Sequence, residues 1–476
     1  MIYNIIYRFI ISETMAIYDL SGKNKYYTLY SRIRDDIIAG KYGRGEKLPA
    51  KRVLAADLGV SVVTVQLAYE QLLAEGYISS RERSGYFVEK IEPRPAPVRS
   101  SSVASGGEET EKTQYVLDFV KSAAPAELFP FSVWAKLMRG VLADCGEHLL
   151  ERVPCRGDME LREEISKYLY RSRGISVPAG RIVIGAGAEY LYGVIVQLLG
   201  RDKLFAVENP GYGKISSTYL LNGARVVPVN VTDTGICLGQ LKNSCADALH
   251  ISPSHQFPTG VITPAPARSE IIKWAEERGG FAIEDDYDSE FRLSGKPLHS
   301  LYSLCPEHVI YMNTFSKSLA PSMRLGYMAL PAKLMEKFLT LFSSSANVVP
   351  LFEQKTLAAM LRGGYFERHI ARLKNYYKAI RKLTVDTLKN LNANCEIYDT
   401  GSGPHLLCKF PEAPSDAALK ESAKKCGIRL RCVSDYLAGP AEGTEKTAVV
   451  NYSGVTAGQI KNLRGNLSLA WERSRG

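Results

Sequence analysis

The sequence predicts an α/β chain in two folded parts: a small winged helix-turn-helix at the N-terminus, then a large domain on a mostly parallel central sheet. Three observations carry this. Residues 91–113 (IEPRPAPVRSSSVASGGEETEKT) are rich in Pro, Ser, Gly and charge and hold almost no large apolar side chain. They cannot bury enough surface to fold and read as a flexible linker. Residues 114–476 alternate near-continuous apolar runs of strand length with helical patterns, as a sheet covered by helices on both faces requires. Residues 15–90 instead show short helix-period segments followed by two β-rich runs around a basic tip.

Composition bounds the reading. A chain of 476 residues is too long for one core. Its 45% hydrophobic and 23% charged content is that of an ordinary soluble protein, and the expected location is the cytoplasm. No apolar run approaches the roughly 20 residues that span a bilayer, so no membrane partner is expected. A net charge of +10 favours an anionic partner. Nine scattered cysteines, without a Cys-x-x-Cys pair, read as reduced thiols rather than a disulfide framework. Residues 1–14 (MIYNIIYRFIISET) form a short apolar stretch broken by Arg8, without a convincing cleavage site, and Met1 and Met15 both stand as possible starts.

In the small domain Tyr26, Tyr30, Ile33 and Ile37 recur at helical spacing before Gly40. A second helix is expected from about Ala50 to Leu58, ending at Gly59. Ser61 caps a third, with Val65, Tyr69 and Leu72 on its inner face and Gly76 after its last turn. Tyr77-Ile78 and Tyr86-Phe87-Val88 flank Arg81-Glu82-Arg83-Ser84-Gly85, a hairpin with a basic tip. Such a unit inserts its third helix into the DNA major groove; a small protein-interaction domain with a solvated hairpin is the alternative on pattern alone.

Leu48-Pro49-Ala50-Lys51-Arg52, Leu54-Ala55, Gly59-Val60-Ser61, Thr64-Val65, Ala68-Tyr69, Glu75-Gly76-Tyr77 and Ser84-Gly85-Tyr86-Phe87-Val88 together resemble the GntR winged-helix domain in order and spacing. The resemblance implies a double-stranded DNA operator as partner. Arg52 and Thr64 are implied contacts, Ser61 opens the recognition helix and Gly85 marks the wing. One position departs: Val62 stands where the family usually has Arg after that serine. A missing arginine removes a phosphate or guanine contact. Lys51, Gln66, Arg81 and Arg83 are the residues nearby that can supply contacts instead.

In the large domain, strand-like runs occur at 182–184, 204–207, 248–251, 281–283, 309–311 and 327–329. Polar motifs follow their ends, where ligands bind in parallel sheets. These are Gly185-Ala186-Gly187-Ala188-Glu189, Glu208-Asn209-Pro210-Gly211-Tyr212, Ser252 to Gly260, Glu284-Asp285-Asp286-Tyr287, and Thr314-Phe315-Ser316-Lys317-Ser318 with Arg324 beyond. A lysine withdrawn from water becomes a nucleophile toward an aldehyde. Thr314, Arg324 and the backbone of the Gly-rich turn can hold phosphate, and Asp285 supplies the acid that a protonated pyridine nitrogen needs. These are the parts of a pyridoxal phosphate (PLP) site.

The same order resembles the fold type I, aminotransferase-like PLP enzymes. Joined to the GntR-like unit, and with Pro258-Thr259-Gly260, Glu284 to Phe291, Thr314 to Leu319, Arg368-His369-Ile370 and Gly403-Pro404-His405, the chain is similar to the MocR/GabR group of transcription regulators. The resemblance implies Lys317 as the Schiff-base lysine and Asp285 at the pyridinium nitrogen. It puts Tyr287 at the phenolic oxygen, with His255 and Gln256 close by, and Tyr212 on the ring face. Gly187, Ala188, Thr314 and Arg324 would face the phosphate. A homodimer is implied as well.

Two departures bear on function. Ala188-Glu189 replaces the usual Ser-Gln of the phosphate turn, so Glu189 must turn away or pair. In Lys446-Thr447-Ala448-Val449-Val450-Asn451-Tyr452 no arginine grips a substrate carboxylate, and Val449 occupies the expected slot; Lys214, Arg429 and Arg431 are the cations that could replace it. The leading expectation is a regulator that senses an amine, an amino acid or a B6 vitamer through PLP. An active aminotransferase with an appended DNA-binding domain, and a dimerisation scaffold with a decayed site, are the alternatives.

Overall fold

The computed structural model describes residues 24–90, 115–293, 299–390 and 395–461. The expected linker and residues 1–14 lie outside these. The chain divides into two units between Lys112 and Thr113.

The first unit has helices α1 (Lys25–Ile38), α2 (Lys51–Asp57) and α3 (Val62–Ala74), then strands β1 (Ile78–Arg81) and β2 (Gly85–Val88) paired antiparallel. Its core joins Leu29, Tyr30, Ile33 and Ile37 of α1 to Leu54 of α2 and to Val65, Ala68, Tyr69 and Leu72 of α3. Tyr26, expected on the inner face of α1, is exposed, and Leu29 holds the core position instead. Ser61 caps α3: its Oγ accepts the Thr64 N–H at 3.1 Å, satisfying one of the helix's free donors. Between β1 and β2 the chain turns through Arg83, which has a positive φ of 54°, and Gly85.

In the second unit the main sheet contains β3 (Ile182–Gly185), β4 (Leu204–Asn209), β5 (Arg225–Thr232), β6 (Gly235–Ile236), β7 (Ala248–Ile251), β8 (Phe281–Asp285), β9 (Val309–Thr314) and β10 (Gly326–Ala329). Their spatial order is β3-β10-β9-β8-β7-β4-β5-β6. From β9 across to β5 the pairings are parallel; β10 runs antiparallel to both its neighbours, and β6 antiparallel to β5. The inner strands are buried on both faces, which is why they read as unbroken apolar runs. Helix α4 (Ala188–Leu199) follows β3 and α5 (Gly213–Leu221) follows β4. A second, antiparallel sheet holds β11 (Glu396–Tyr398), β12 (His405–Lys409), β13 (Arg431–Cys432) and β14 (Thr447–Asn451), ordered β11-β12-β14-β13. Among the described residues no helix is long and apolar enough to cross a membrane.

Candidate cofactor site and nucleic-acid interface

Strand alternation sorts the acidic run at the end of β8. Glu284 and Asp286 point to one face. The Arg173 guanidinium pairs with Asp286 at 2.9 Å while the Tyr311 hydroxyl donates to the same carboxylate at 2.7 Å. Glu284 accepts the Tyr302 N–H at 3.0 Å. These two carboxylates hold the fold. Asp285, between them, points the other way. Its Oδ2 accepts the Tyr192 hydroxyl of α4 at 2.7 Å and lies 3.5 Å from His250 Nε2. Its Oδ1 is buried and accepts no hydrogen bond among the described residues. A buried acceptor left open in this way matches a cationic N–H donor such as a protonated pyridine nitrogen.

Lys317 follows β9. Its Nζ stands 4.5 Å from the centre of the Tyr287 ring, and burial lowers its pKa against the opposing pull of Asp288 and Asp285. A lowered pKa raises the fraction of free amine, as a nucleophile needs. The Tyr287 hydroxyl lies 3.3 Å from His255 Nδ1, and that nitrogen is 2.7 Å from Asp288 Oδ2. His405 packs 4.4 Å from the His255 ring. The close approach depends on Gly403, where a Cβ would sit 2.3 Å from the His255 ring and 2.5 Å from Asp288. His255 therefore lies beside Tyr287 as expected. Gln256, next in the chain, braces the loop: its amide donates to the Pro210 and Phe257 carbonyls and its oxygen accepts from Thr259.

The phosphate end is assembled by register. Thr314 pairs with Gly326, and Gly326 with Gly185, so the ends of β9, β10 and β3 lie side by side. Gly187 caps α4 with φ 85°, and a Cβ there would stand 3.0 Å from the Arg324 guanidinium. Arg324 donates to the Ala186 carbonyl at 3.1 Å. The first N–H groups of α4, at Ala188 and Glu189, and the Arg324 cation thus lie together, a donor set suited to a phosphate. Glu189 is paired, with Lys214 at 3.0 Å and Arg324 at 3.8 Å. The open Asp285 oxygen, the half-buried lysine and this cradle fit pyridoxal phosphate.

Tyr212 precedes α5. It is 46% exposed, with its ring edge-on to Phe257 at 6.2 Å, so one face remains accessible. On the side of Phe257, Val449 is 2% exposed and clusters with Leu407, Val433, Phe257 and Tyr436. Of the three cations that could replace the missing arginine, Arg429 is drawn to Asp118 at 3.4 Å, on the paired strands Ile428–Arg429 and Leu117–Asp118. Lys214 pairs with Glu189. Arg431 lies opposite Val449 in register, with its guanidinium 5.9 Å from the Tyr436 ring centre. Sequence reasoning gave no part to Tyr192, His250 or Asp288. The first two carry no signal in the chain, since they reach Asp285 only through folding.

In the small unit, Lys51 opens α2 with its ammonium 5.8 Å over the Tyr86 ring, and Arg52 beside it is exposed. Gln66 donates to Glu70 at 2.8 Å along the outer face of α3. Gly85 opens β2, with a Cβ position 3.2 Å from the Lys47 side chain. Arg81 stacks over Phe87 at 4.5 Å.

Comparison with known proteins places these two units. Residues 120–428 match the family described as Aminotransferase class I and II, and residues 25–88 match Bacterial regulatory proteins, gntR family. The chain is 35% identical over 449 residues to the uncharacterized HTH-type transcriptional regulator YdeL of Bacillus subtilis, covering 94% of this chain and 96% of that protein. It is 29% identical over 445 residues to the probable rhizopine catabolism regulatory protein MocR of Rhizobium meliloti, covering 90% of each. An archaeal alanine:glyoxylate aminotransferase superposes with a TM-score of 0.69 at 20% identity, over 76% of this chain and 92% of that one, a likeness of fold alone. The chain belongs to the MocR-type family of HTH-type transcriptional regulators, in which a GntR DNA-binding domain is fused to a class I and II aminotransferase domain.

Proposed function

We propose that this regulator holds pyridoxal phosphate on Lys317 and uses it to sense an amine, an amino acid or a B6 vitamer, changing its hold on operator DNA. The observation that carries the cofactor reading is the Asp285 carboxylate: one oxygen is held by Tyr192, and the other is buried and open. When bound, the cofactor supplies an aldehyde that condenses with amines and a ring that draws electrons toward its protonated nitrogen.

The chain's own residues do the rest. Asp285 keeps a proton on the ring nitrogen, and Tyr192 fixes the carboxylate that does so. Lys317 provides the amine, partly freed of its proton by burial. Tyr287, braced by His255 and Asp288, donates toward the phenolic oxygen. Tyr212 covers the ring face. Gly187, Ala188, Thr314 and Arg324 take the phosphate. A ligand that displaces Lys317 shifts the protein only through its differential affinity for two states. Val449 argues against ordinary amino-acid turnover, because the slot expected to hold a carboxylate-gripping arginine is apolar. Arg431 and Lys214 are the cations that can meet an acidic group on the effector. A cytoplasmic homodimer is part of the same reading, and sedimentation measures it.

The test is chemical. Purified protein should carry an absorbing chromophore and, after borohydride reduction, a phosphopyridoxyl adduct on the Lys317 peptide by mass spectrometry. Lys317→Ala should lack both. An adduct on another lysine in that variant would overturn the assignment. On the DNA side, affinity should fall steeply with salt. Arg52→Ala should weaken specific binding by roughly 1–3 kcal/mol if it contacts a base edge.

A further inference from the structure

The outer face of α3 is apolar where a DNA-reading helix is ordinarily polar. Val62 is 41% exposed, Val63 63% and Leu67 44%. All three lie in the first half of the helix: Val63 and Leu67 on the side opposite the buried Val65, Ala68, Tyr69 and Leu72, and Val62 at the first position on the flank of that buried face. A recognition helix presents this same half to base edges. The polar side chains nearby are engaged within the helix. Ser61 Oγ takes the Thr64 N–H at 3.1 Å and lies 2.9 Å from Thr64 Oγ1, and Gln66 donates to Glu70 at 2.8 Å. Exposed apolar side chains grouped on a small basic unit need an explanation beyond folding, since none of the three contributes to the core.

The major groove offers one apolar partner, the C5 methyl of thymine. We infer that this chain reads its operator through thymine methyl groups, with Val62, Val63 and Leu67 as the contacting side chains. The inference rests on the DNA-binding reading and names what that surface recognises. Phosphate attraction falls to other residues: Lys51 and Arg52 at the start of α2, and Arg81 and Arg83 at the wing, are positioned outside the apolar face. Polar readout by hydrogen bonds is thereby reduced on α3, and specificity shifts toward shape and methyl contact. Operator half-sites should therefore hold thymine at one or more fixed positions that hydrogen bonding does not explain.

The experiment uses the full-length protein and duplexes selected from a random pool. Each thymine of the selected site is replaced singly by deoxyuridine, which keeps every hydrogen-bonding group and removes only the methyl. At one or more positions affinity should fall by roughly threefold to tenfold, the scale set by burying one methyl-sized group. Val63→Ala or Val62→Ala should then abolish the deoxyuridine effect at one of those positions, with the thermal unfolding of the variant unchanged. A selected site at which every deoxyuridine duplex binds as tightly as its parent overturns the inference while leaving DNA binding intact. A pool from which nothing is enriched overturns the DNA-binding reading itself. If the valine variants change the sedimenting mass and not the DNA profile, the apolar face is a protein interface and the inference fails.

Discussion

Around Asp285 the candidate site is lined by groups that hold charge: Tyr192 on one carboxylate oxygen, His250 beside it, Lys317 across the Tyr287 ring, Asp288 on His255. Around Val449 the wall is Leu407, Val433, Phe257 and Tyr436. The first end suits a charged, aromatic cofactor that stays in place. At the second, the Val449 side chain has no donor for a carboxylate, and the guanidinium opposite it in register is that of Arg431, beside the Tyr436 ring. The difference teaches that the two tasks of an aminotransferase site, holding the cofactor and gripping the substrate, are carried by separate residues and can be lost separately. On the function proposed above, keeping the first and losing the second suits a sensor of the same ligand class.

The comparison breaks most visibly if the chain turns over common amino acids. Without a carboxylate clamp, substrate is not held in a reactive geometry, and single-turnover conversion with a panel of amino acids and 2-oxo acids should be at least about 1,000-fold slower than in a working aminotransferase, given what orientation contributes to rate. Fast, repeated turnover would mean that Arg431 or Lys214 supplies the clamp, and the two ends would no longer differ in kind.

Asp285→Asn tests the charged end. It keeps the shape and the Tyr192 contact and removes the charge that favours a protonated ring nitrogen. A charge-assisted hydrogen bond contributes about 1.5–3 kcal/mol, so cofactor retention should weaken by roughly 10- to 100-fold in equilibrium dialysis. Unaltered retention would show that this carboxylate serves Tyr192 and His250 alone. Gly403→Ala tests the boundary of the site. Its Cβ would meet His255 at 2.3 Å and Asp288 at 2.5 Å, and overpacking of that kind costs about 1–3 kcal/mol. Denaturant unfolding should register the loss, and a neutral result would show that the His255–Asp288 pair can move aside.

Much of this was legible in the chain, for reasons tied to burial. The six apolar runs read as strands because both their faces are covered, so no polar alternation hides them. Arg225–Thr232 escaped notice because its burial is mixed along its length and Pro228 interrupts it. In the small sheet, Glu396–Tyr398 and Arg431–Cys432 escaped because they are three and two residues long and partly exposed. Within the site, residues in strand-end motifs could be found, since position in the chain fixes them at the ligand face. Tyr192 could not: it lies 93 residues from Asp285, in mid-helix, and only the packing of α4 on the sheet brings them together. Gln256 shows the opposite case, a role in the loop that position alone does not reveal. It sits in a site loop beside His255, yet every polar atom of its amide is taken by neighbouring backbone or by Thr259.

The smallest expected effect concerns the proton on Lys317 in the cofactor-free protein. In the unfolded chain this lysine titrates near its ordinary value of 10.5; in the fold burial lowers it, with Asp288 and Asp285 resisting. Well below the lowered pKa both states are protonated, and the native state bears the full cost of a buried ammonium. Between the two values the unfolded chain holds a proton that the native state does not, so stability rises with pH. Above 10.5 the contribution vanishes. Lys317→Met removes the titration while keeping the volume close. Its unfolding midpoint should exceed that of the wild-type apoprotein at neutral pH, and the gap should narrow as pH climbs toward 10.5. A gap that is constant with pH would place the stabilisation in packing alone. One that widens would mean that Asp288 and Asp285 outweigh burial, leaving Lys317 more firmly protonated in the fold than in water.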